Sequence, residues 1–418
     1  MDRHANTLRW IDQQRDRMIR LVTDWANVNS GTRNLAGLGR MANLLCDSFC
    51  ELGGDLTRVS LPAHESIDSR GNRVARPLGP AISLRKRPSA DLRVFLGIHM
   101  DTVYGPEDPF QHVEWADAAT LRGPGVIDAK GGLAVMLVAL EALERSEFAG
   151  RLGWEILINP DEEIGSPGSV HLFEQAAHRN HVGLVFEPVF PDGSLVSERK
   201  GSGNFDAVIR GRAAHAGRDF QAGRNAVVAA ADLSVLVSRM NGSIPDATLN
   251  VGRIDGGGAV NVVPDLAIVR LNARVARVAD QQKVESELRR VVREVADRHE
   301  VSAELHGRFL SPPKLLDDRT RELCNGIETC GRDLGLAIQW RTSGGVSDGN
   351  KLAAAGLPVI DTMGPRGGNL HSPQEYLLVD SLTERARLTA LVLLRLATGQ
   401  IPPPKGRIAE TRDVIGRA

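Results

Sequence analysis

Short apolar runs separated by helical patterns define the first half of the chain. Nearly continuous apolar residues predict buried strands at 93–98, 154–158, 182–186 and, far downstream, 356–361. Residues 131–143 have the composition of a buried helix between the first two strands. Alternating strands and helices predict an α/β fold, with a mostly parallel mixed sheet covered by helices on both faces.

Two amphipathic helices are predicted upstream of these strands. Apolar positions from Thr7 to Trp25 lie on one helical face, and residues 35–52 form a second helical pattern that ends at two glycines. A basic, proline-containing stretch follows up to Arg87. Because turns bracket that stretch, it is interpreted as a solvated β-hairpin with an exposed loop, and not as a surface for nucleic acid.

The pattern changes between Gly203 and Phe309. The predicted order there is strand, helix, two antiparallel strands and a charged amphipathic helix, over residues 204–211, 225–240, 248–254, 266–275 and 280–298. This order favours an α+β domain inserted into the α/β domain. The predicted division is a discontinuous catalytic domain, residues 1–202 and 310–418, with an inserted domain at 203–309. Residues 400–418 are predicted to lie outside the core.

Composition excludes several functional classes. The 418 residues carry a net charge of −1 and only 4% are aromatic, which argues against nucleic-acid binding. No run of about 18 apolar residues exists, so no membrane span is expected. None of the four cysteines (Cys46, Cys50, Cys324, Cys330) forms a Cys-x-x-Cys pair. They are predicted to be free thiols, and Cys46 and Cys50 small buried hydrophobes, in a cytoplasmic protein.

Carboxylates and imidazoles follow the predicted strands. They lie in five short segments: His99-Met100-Asp101, Asp128, Asp161-Glu162-Glu163, Glu187 and His371. Binding sites in parallel sheets form beyond the carboxyl ends of strands, so these side chains are expected to converge. Nitrogen and oxygen ligands with one bridging carboxylate suit a pair of zinc ions in a hydrolase, although Co²⁺ or Mn²⁺ would also fit.

Each segment has a proposed task. His99 supplies an imidazole, and Asp101 fixes the tautomer of that ring. Asp128, in a glycine-rich turn, is the expected bridging carboxylate. Glu162 and Glu163 are adjacent and point in different directions, so Glu163 is assigned to the metal and Glu162 to general-base catalysis.

Each segment alone also has an ordinary structural explanation. A His-x-Asp pair is often a surface hydrogen bond, an Asp-Glu-Glu run a solvated helix start, and Asp128 beside Lys130 a turn with an ion pair. Glu187 is harder to explain in this way, because a carboxylate at a buried strand end must be paired or coordinated. The joint occurrence of all five favours a metal site. Ser194 and Ser347 have no His–acid arrangement that would support serine catalysis.

At these residues the chain resembles the zinc-dependent exopeptidases and aminoacylases that include glutamate carboxypeptidase, acetylornithine deacetylase and succinyl-diaminopimelate desuccinylase. The resemblance runs from about Ile19 to Ala397. His99-Met100-Asp101-Thr102-Val103-Tyr104 and Arg122-Gly123-Pro124-Gly125 are most similar to glutamate carboxypeptidase. It implies that His99 and Glu187 bind one zinc, that Glu163 and His371 bind the other, and that Asp128 bridges them.

The resemblance also implies roles for residues of the inserted domain and the cleft. The inserted domain would serve as lid and dimerisation domain, and His215 would reach the partner subunit's active site to stabilise the oxyanion. Asn261 and Arg274 would lie near the substrate's carboxylate, where Asn272 stands in place of the family's usual Asp. Glycine-rich loops containing Gly344 and Gly367 would line the cleft. Lys200 is either a partner for an acidic substrate or an exposed hinge lysine.

Together these expectations describe a dimeric enzyme with two Zn²⁺ per subunit that cleaves an amide bond next to a free carboxylate. The substrate would be an N-acyl amino acid or a short peptide. The alternative within the same class is an N-acetyl- or N-succinyl-amino-acid deacylase, which shares every metal ligand. A non-catalytic metal-binding or ligand-binding relative is less favoured, because none of the catalytic residues is missing.

Overall fold

The computed structural model describes residues 4–404. The helices in this range are α1 (Ala5–Asp12), α2 (Arg15–Ala26), α3 (Leu35–Phe49), α4 (Gly131–Glu144), α5 (Val170–Arg179), α6 (Ala226–Met240), α7 (Val278–His299), α8 (Asp318–Asp333), α9 (Asp348–Ala354) and α10 (Asp380–Ala397). The strands are β1 (Asp55–Val59), β2 (His64–Ile67), β3 (Arg73–Arg76), β4 (Ala81–Lys86), β5 (Arg93–His99), β6 (Glu114–Asp117), β7 (Thr120–Arg122), β8 (Gly153–Asn159), β9 (Val182–Val185), β10 (Leu195–Arg199), β11 (Gly201–Arg210), β12 (Ala214–His215), β13 (Thr248–Gly256), β14 (Val262–Val263), β15 (Leu266–Val275), β16 (Ser302–Ser311), β17 (Trp340–Ser343), β18 (Val359–Ile360), β19 (Gly367–Gly368) and β20 (Tyr376–Leu378).

The largest sheet has six strands in the order β1-β4-β8-β5-β9-β18. Strands β8, β5, β9 and β18 run parallel, and β4 and β1 extend the sheet with antiparallel pairing. The α/β fold with a mostly parallel mixed sheet is therefore confirmed. The continuous apolar character of β5 and β8 follows from their place at the centre, where both faces are buried.

Helices cover both faces of this sheet. Val94 and Leu96 of β5 belong to the larger core, which includes α1, α2, α4 and α10, whereas Phe95 of the same strand packs with Phe173 of α5 and Leu352 of α9. Helix α4 is apolar and buried on all sides over 131–140. Its first residue directly follows the turn that carries Asp128, so the buried helix holds that turn in place.

A second, fully antiparallel sheet has the order β13-β15-β11-β16, with α6 and α7 packed on one face. The predicted succession of strand, helix, two strands and helix matches this unit, which β16 then completes. The chain enters the sheet at Gly201 and leaves it at Ser311. The predicted domain division with an insertion at 203–309 stays a prediction.

The β2–β3 hairpin packs on the other face of the second sheet. Ile67 is buried with Val208 and Ile268, and the guanidinium of Arg270 donates to the carbonyl of Ile67 at 3.1 Å. Arg210 donates to the carbonyl of Gly71 at 2.8 Å. The hairpin predicted in the basic stretch exists, but its end contacts the second sheet and is not solvated throughout.

Three local expectations were wrong. The helix predicted over residues 7–25 is two helices, because the N–H groups of Gln13 and Gln14 bond to carbonyls three residues back and close α1. Cys50 is exposed in the turn after α3, although the described cysteines are free as expected. Ile401, expected outside the core, is 3% exposed and packs in the larger core. The rest of that tail, residues 405–418, lies outside the described range.

No helix within residues 4–404 has the length and apolar character needed to cross a membrane.

Candidate metal centre

The five ligand segments lie at the carboxyl end of the large sheet. His99 is the last residue of β5, and Glu187 follows β9 after one intervening residue. Glu163 lies in a short turn after β8, Asp128 in the turn before α4, and His371 in the loop between β19 and β20. Parallel strands end on the same edge, which is why segments so far apart in sequence meet.

Asp128 lies between the two histidines. Its Oδ1 is 2.9 Å from Nε2 of His99, and its Oδ2 is 3.4 Å from Nε2 of His371. Glu163 Oε2 is 3.2 Å from the same His371 nitrogen, and Glu187 Oε1 is 3.9 Å from the His99 nitrogen. One carboxylate thus faces two separate His–Glu pairs, in the grouping that the resemblance implied.

The chemistry of the donors fits a pair of divalent cations. Oε1 of Glu187 is buried and accepts no hydrogen bond from the described residues. Burial and the nearby charge of Asp128 raise the pKa of Glu187 to about 8. Donor atoms of His99, Asp128 and Glu163 lie within 4.8 Å of one another. Two imidazoles and three carboxylates are a zinc-type set that would also accept Co²⁺ or Mn²⁺.

Asp101 contacts several segments that carry the proposed ligands. Its carboxylate lies 3.4 Å from Nδ1 of His99 and accepts the N–H groups of Glu162 and Glu163, each at 3.2 Å. The hydroxyl of Thr32 donates to the same carboxylate at 2.6 Å. Nδ1 of His99 is also 3.1 Å from the main-chain carbonyl of Asp101. Asp101 is fully buried, so this one residue orients the His99 ring and the turn that carries both glutamates.

Glu162 has a different environment from Glu163. Burial and the carboxylates of Asp348 and Glu187 raise the pKa of Glu162 well above its usual range. The side chain of Glu163 pairs with His371, whereas no ion pair of Glu162 exists among the described residues. The two adjacent glutamates therefore lie in different surroundings, with Glu163 paired to His371 and Glu162 beside other carboxylates.

Arg274 projects from β15 toward the cleft. Its Nε donates to Oδ1 of Asn272 at 3.1 Å, and its Nη1 donates to the carbonyl of Gly344 at 2.8 Å. Burial lowers the pKa of Arg274, while the charge of Glu162 opposes that shift. The structure thus brings together Arg274, Asn272 and Gly344, and the amide oxygen of Asn272 accepts a hydrogen bond from the guanidinium.

Other predicted site residues lie apart from this cluster. His215 of β12 is exposed, pairs with Val262 of β14 and accepts the N–H of Gly217 at its Nδ1. The carbonyl of Asn261 accepts the N–H of Ala216, so Asn261 and His215 share one exposed corner of the second unit. Within residues 4–404, no hydrogen bond or strand pairing of these two residues reaches the metal ligands.

Lys200 and Gly367 have structural contacts. The ammonium of Lys200 donates to the carbonyl of Asp246 at 2.7 Å, which fits a hinge lysine. Gly367 is buried in β19, where a Cβ would collide with the carbonyl oxygen of Tyr376 and lie 2.8 Å from Ile127. A side chain at position 367 would therefore disturb packing against Ile127 beneath the Asp128 turn, and the place of Gly367 in a substrate cleft stays a prediction.

Sequence reasoning missed two groups around the ligands. Glu375 is buried and accepts N–H groups of the Asp128 turn, and Tyr104 donates to it. Glu375 follows His371 by four residues and precedes strand β20, whereas Glu187 was marked by the apolar strand before it, so Glu375 carries no such signal. Thr32 is 69 residues from Asp101, its partner, and has no local signature.

Comparisons with known proteins agree with this geometry. A sequence profile of peptidase family M20/M25/M40 matches residues 95–395. Carboxypeptidase G2 of Pseudomonas sp. (strain RS-16) is 26% identical over 393 residues, covering 92% of this chain and 90% of the relative. Succinyl-diaminopimelate desuccinylase of Hahella chejuensis is 27% identical over 331 residues, covering 75% and 84%.

A solved structure shares the fold. A dinuclear metal-binding peptidase of the M20 family from Bacillus subtilis superimposes with a TM-score of 0.63 at 16% identity, covering 93% of this chain and 99% of that one. The profile match spans well over half of the chain. The chain belongs to peptidase family M20/M25/M40 and is a metal-dependent hydrolase.

Proposed function

We propose that this chain is a dinuclear zinc hydrolase that cleaves an amide bond next to a free carboxylate, as a glutamate carboxypeptidase does. The observation that carries the proposal is the position of Asp128, whose two oxygens face two separate His–Glu pairs. Glu162 stands beside them without a pairing of its own. A shared carboxylate between two ligand pairs, with a free acid alongside, is the arrangement that two-metal amide hydrolysis requires.

The residues of the chain divide the chemistry among them. Two Zn²⁺ ions, when bound by His99, Glu187, Asp128, Glu163 and His371, supply the Lewis acidity that activates water and polarises the scissile carbonyl. Glu162 takes a proton from the attacking water and later delivers it to the departing nitrogen. Asp101 keeps the His99 ring and the Glu162 turn in place during these steps.

Arg274 is the proposed partner of the substrate's free carboxylate. Its Nε and Nη1 are held by Asn272 and Gly344, which leaves Nη2 without a hydrogen bond among the described residues. A guanidinium held in this way presents a charged donor in a fixed direction, which suits recognition of a carboxylate. Lys200 and Asn261 remain proposed contacts of the substrate's remaining groups, and Gly344 lines the cleft through the carbonyl that holds Arg274.

The second candidate is an N-acetyl- or N-succinyl-amino-acid deacylase. The likeness to a succinyl-diaminopimelate desuccinylase over 331 residues favours it, because both reactions use one ligand set. The two candidates differ in the side chains that contact the substrate beyond the scissile amide.

A homodimer through the second unit is part of the proposal. Strand β13 is an edge strand, and its Ile254 is 48% exposed. Val228 and Val235 of α6, seven residues apart on one helical face, are 51% and 47% exposed. Edge strands and exposed apolar faces favour pairing with a second copy. The free cysteines support a reducing, cytoplasmic location.

The test is release of amine from a panel of substrates by zinc-reconstituted protein. The panel contains N-acyl and peptidyl glutamates, N-acetylornithine and N-succinyl-diaminopimelate, each with a chelated control. The carboxypeptidase proposal predicts chelator-sensitive release from the glutamate compounds. Release from acetylornithine or the succinyl compound alone would establish the deacylase instead. Silence across the panel, with two metals bound, would contradict both.

A further inference from the structure

Glu375 is a buried carboxylate that belongs to neither His–Glu pair. Its side chain is about as buried as that of His99, with 1% of the residue exposed. Oε1 accepts the N–H groups of Ile127 and Asp128, both at 3.1 Å. Oε2 accepts the N–H of Gly125 at 3.1 Å and the hydroxyl of Tyr104 at 2.8 Å. Four donors use the acceptor capacity of a carboxylate, so Glu375 is not an additional metal ligand.

The four donors come from segments that carry metal ligands. Gly125, Ile127 and Asp128 form the turn of the shared carboxylate. Tyr104 ends the segment that begins at His99, and Glu375 itself lies on the loop of His371. A main-chain hydrogen bond also joins the His371 loop to the segment before the Asp128 turn, because the carbonyl of Glu375 accepts the N–H of Gly123 at 3.2 Å. Three ligand segments are therefore joined at one side chain.

The Asp128 turn needs such an acceptor. Gly125 has a φ of +72°, and Asp128 and Ala129 depart from helical geometry. N–H groups in an irregular, buried turn have no regular partner and must be satisfied by other acceptors. Glu375 satisfies three of them together. Without it, the direction of the Asp128 side chain would depend on one flanking helix.

We propose that Glu375 is a positioning residue that fixes the Asp128 turn against the His371 loop, so that the two carboxylate oxygens of Asp128 face different metal positions. The role extends the proposed two-metal site and rests on it. As a positioning residue, Glu375 makes no direct contact with substrate or metal. It acts on the metal site by setting the orientation of the Asp128 carboxylate relative to His99 and His371.

Glu375→Gln is the informative variant. Glutamine keeps the volume and one acceptor oxygen, but its amide nitrogen faces the N–H of Gly125 or the hydroxyl of Tyr104. Zinc affinity, measured by competition with a chromophoric chelator at 25 °C, should fall about 10–100-fold, as for other partners that orient metal ligands. At saturating zinc, kcat should fall while KM stays within about twofold, because substrate contacts are unchanged.

Two further variants separate positioning from general stability. Glu155→Gln changes another buried glutamate, which bonds Arg179 and Asn180 at the opposite end of the sheet. It should lower the unfolding temperature without altering zinc affinity. Tyr104→Phe removes the hydroxyl that lies 2.8 Å from Glu375 and 2.9 Å from the carbonyl of Ser372, and it should lower zinc affinity by a smaller factor than Glu375→Gln.

Wild-type zinc affinity and wild-type kcat in Glu375→Gln would overturn the proposal. If Glu375→Gln does not fold, Tyr104→Phe decides, and unchanged zinc affinity in that variant would overturn it equally. Failure of the proposed function is separately visible, because wild-type protein would then bind fewer than two zinc ions or release no amine. An effect of Glu375→Gln on unfolding temperature alone would assign it an ordinary structural role.

Discussion

The metal-ligand cluster and the His215 corner differ in how completely one chain builds them. Around Asp128, every proposed ligand already lies within hydrogen-bond or ion-pair distance of another. The His215 corner is exposed, and within residues 4–404 its contacts are local ones to Gly217 and Val262. Within residues 4–404, one chain therefore brings the proposed metal ligands together, whereas no hydrogen bond or strand pairing joins His215 to them.

This difference follows from where the residues lie in the fold. His99, Glu163 and Glu187 follow the parallel strands β5, β8 and β9, whose carboxyl ends lie on the same edge of the sheet. The turn before α4 and the β19–β20 loop bring Asp128 and His371 to them. His215 lies on the two-residue strand β12, which pairs with β14 and is not part of the large sheet that carries the metal ligands. We infer that the cluster is complete in a monomer and that the oxyanion contact needs the partner subunit.

The largest effect is expected from metal removal. Chelation should abolish turnover, because the water would lose its activation while Glu162 alone remains. Zn²⁺ should restore the activity, as should Co²⁺ or Mn²⁺ in part, and Mg²⁺ should not. The measurement is amine release before and after each addition. Turnover that survives chelation would show that the cluster is not the reaction centre.

Glu162→Gln should lower kcat by about 10²-fold or more, since an amide cannot take the proton from the attacking water. Zinc stoichiometry and fold should be retained, because Glu162 is not a ligand. Glu147→Gln, at an exposed position, is the matched control. Full activity in Glu162→Gln would remove this residue from the mechanism, and loss of a zinc ion would make it a ligand.

Arg274→Lys tests whether Arg274 binds the carboxylate of the substrate. Lysine keeps the charge but lacks the planar fork by which Asn272 and Gly344 hold two nitrogens of Arg274 while the third faces a carboxylate. KM for glutamate-terminated substrates should rise about tenfold, in the range for loss of one hydrogen bond to a charged group. Arg277→Lys, three residues further along the chain and paired with Asp280, should leave KM unchanged. Equal KM in both variants would show that Arg274 does not bind the carboxylate of the substrate.

The smallest effect on activity is expected at the β2–β3 hairpin. Ile67→Asp places a charge among Val208 and Ile268, so the hairpin should leave the second sheet. Amide hydrogen exchange should rise across residues 64–76, while kcat changes less than about threefold, because no metal ligand contacts the hairpin. Ala75→Ser, on an exposed position of β3, is the control. Unchanged exchange in Ile67→Asp would show that the contact does not hold the hairpin.

The sequence predicted the centre of the fold and the ligand cluster because their signals are local. An apolar run followed by a carboxylate or an imidazole marks both a buried strand and the residue beyond it, as at His99 and Glu187. Helix α4 and the second sheet were found for the same reason, since each carries its own periodicity.

The remaining features depend on contacts across the fold. Thr32 and Glu375 act on residues far away in sequence, and a lone hydroxyl or carboxylate has no pattern that names its partner. The break between α1 and α2 was invisible because the apolar face continues through it, with Ile11 and Met18 both buried. The hairpin was expected to be solvated because most of its residues are basic or polar. Ile67 gave no sign of its partners, which are more than 140 residues away in sequence.

Mixed dimers test the central claim most directly. His215→Ala and Glu162→Gln subunits are each expected to be nearly inactive as homodimers. Co-assembled in equal amounts, they should recover about a quarter of wild-type kcat, because half of the dimers then hold one complete site. Recovery at that level would show that His215 serves the partner's metal cluster. Mixtures no more active than the parents would contradict it, and with it the division between a self-contained cluster and a shared corner.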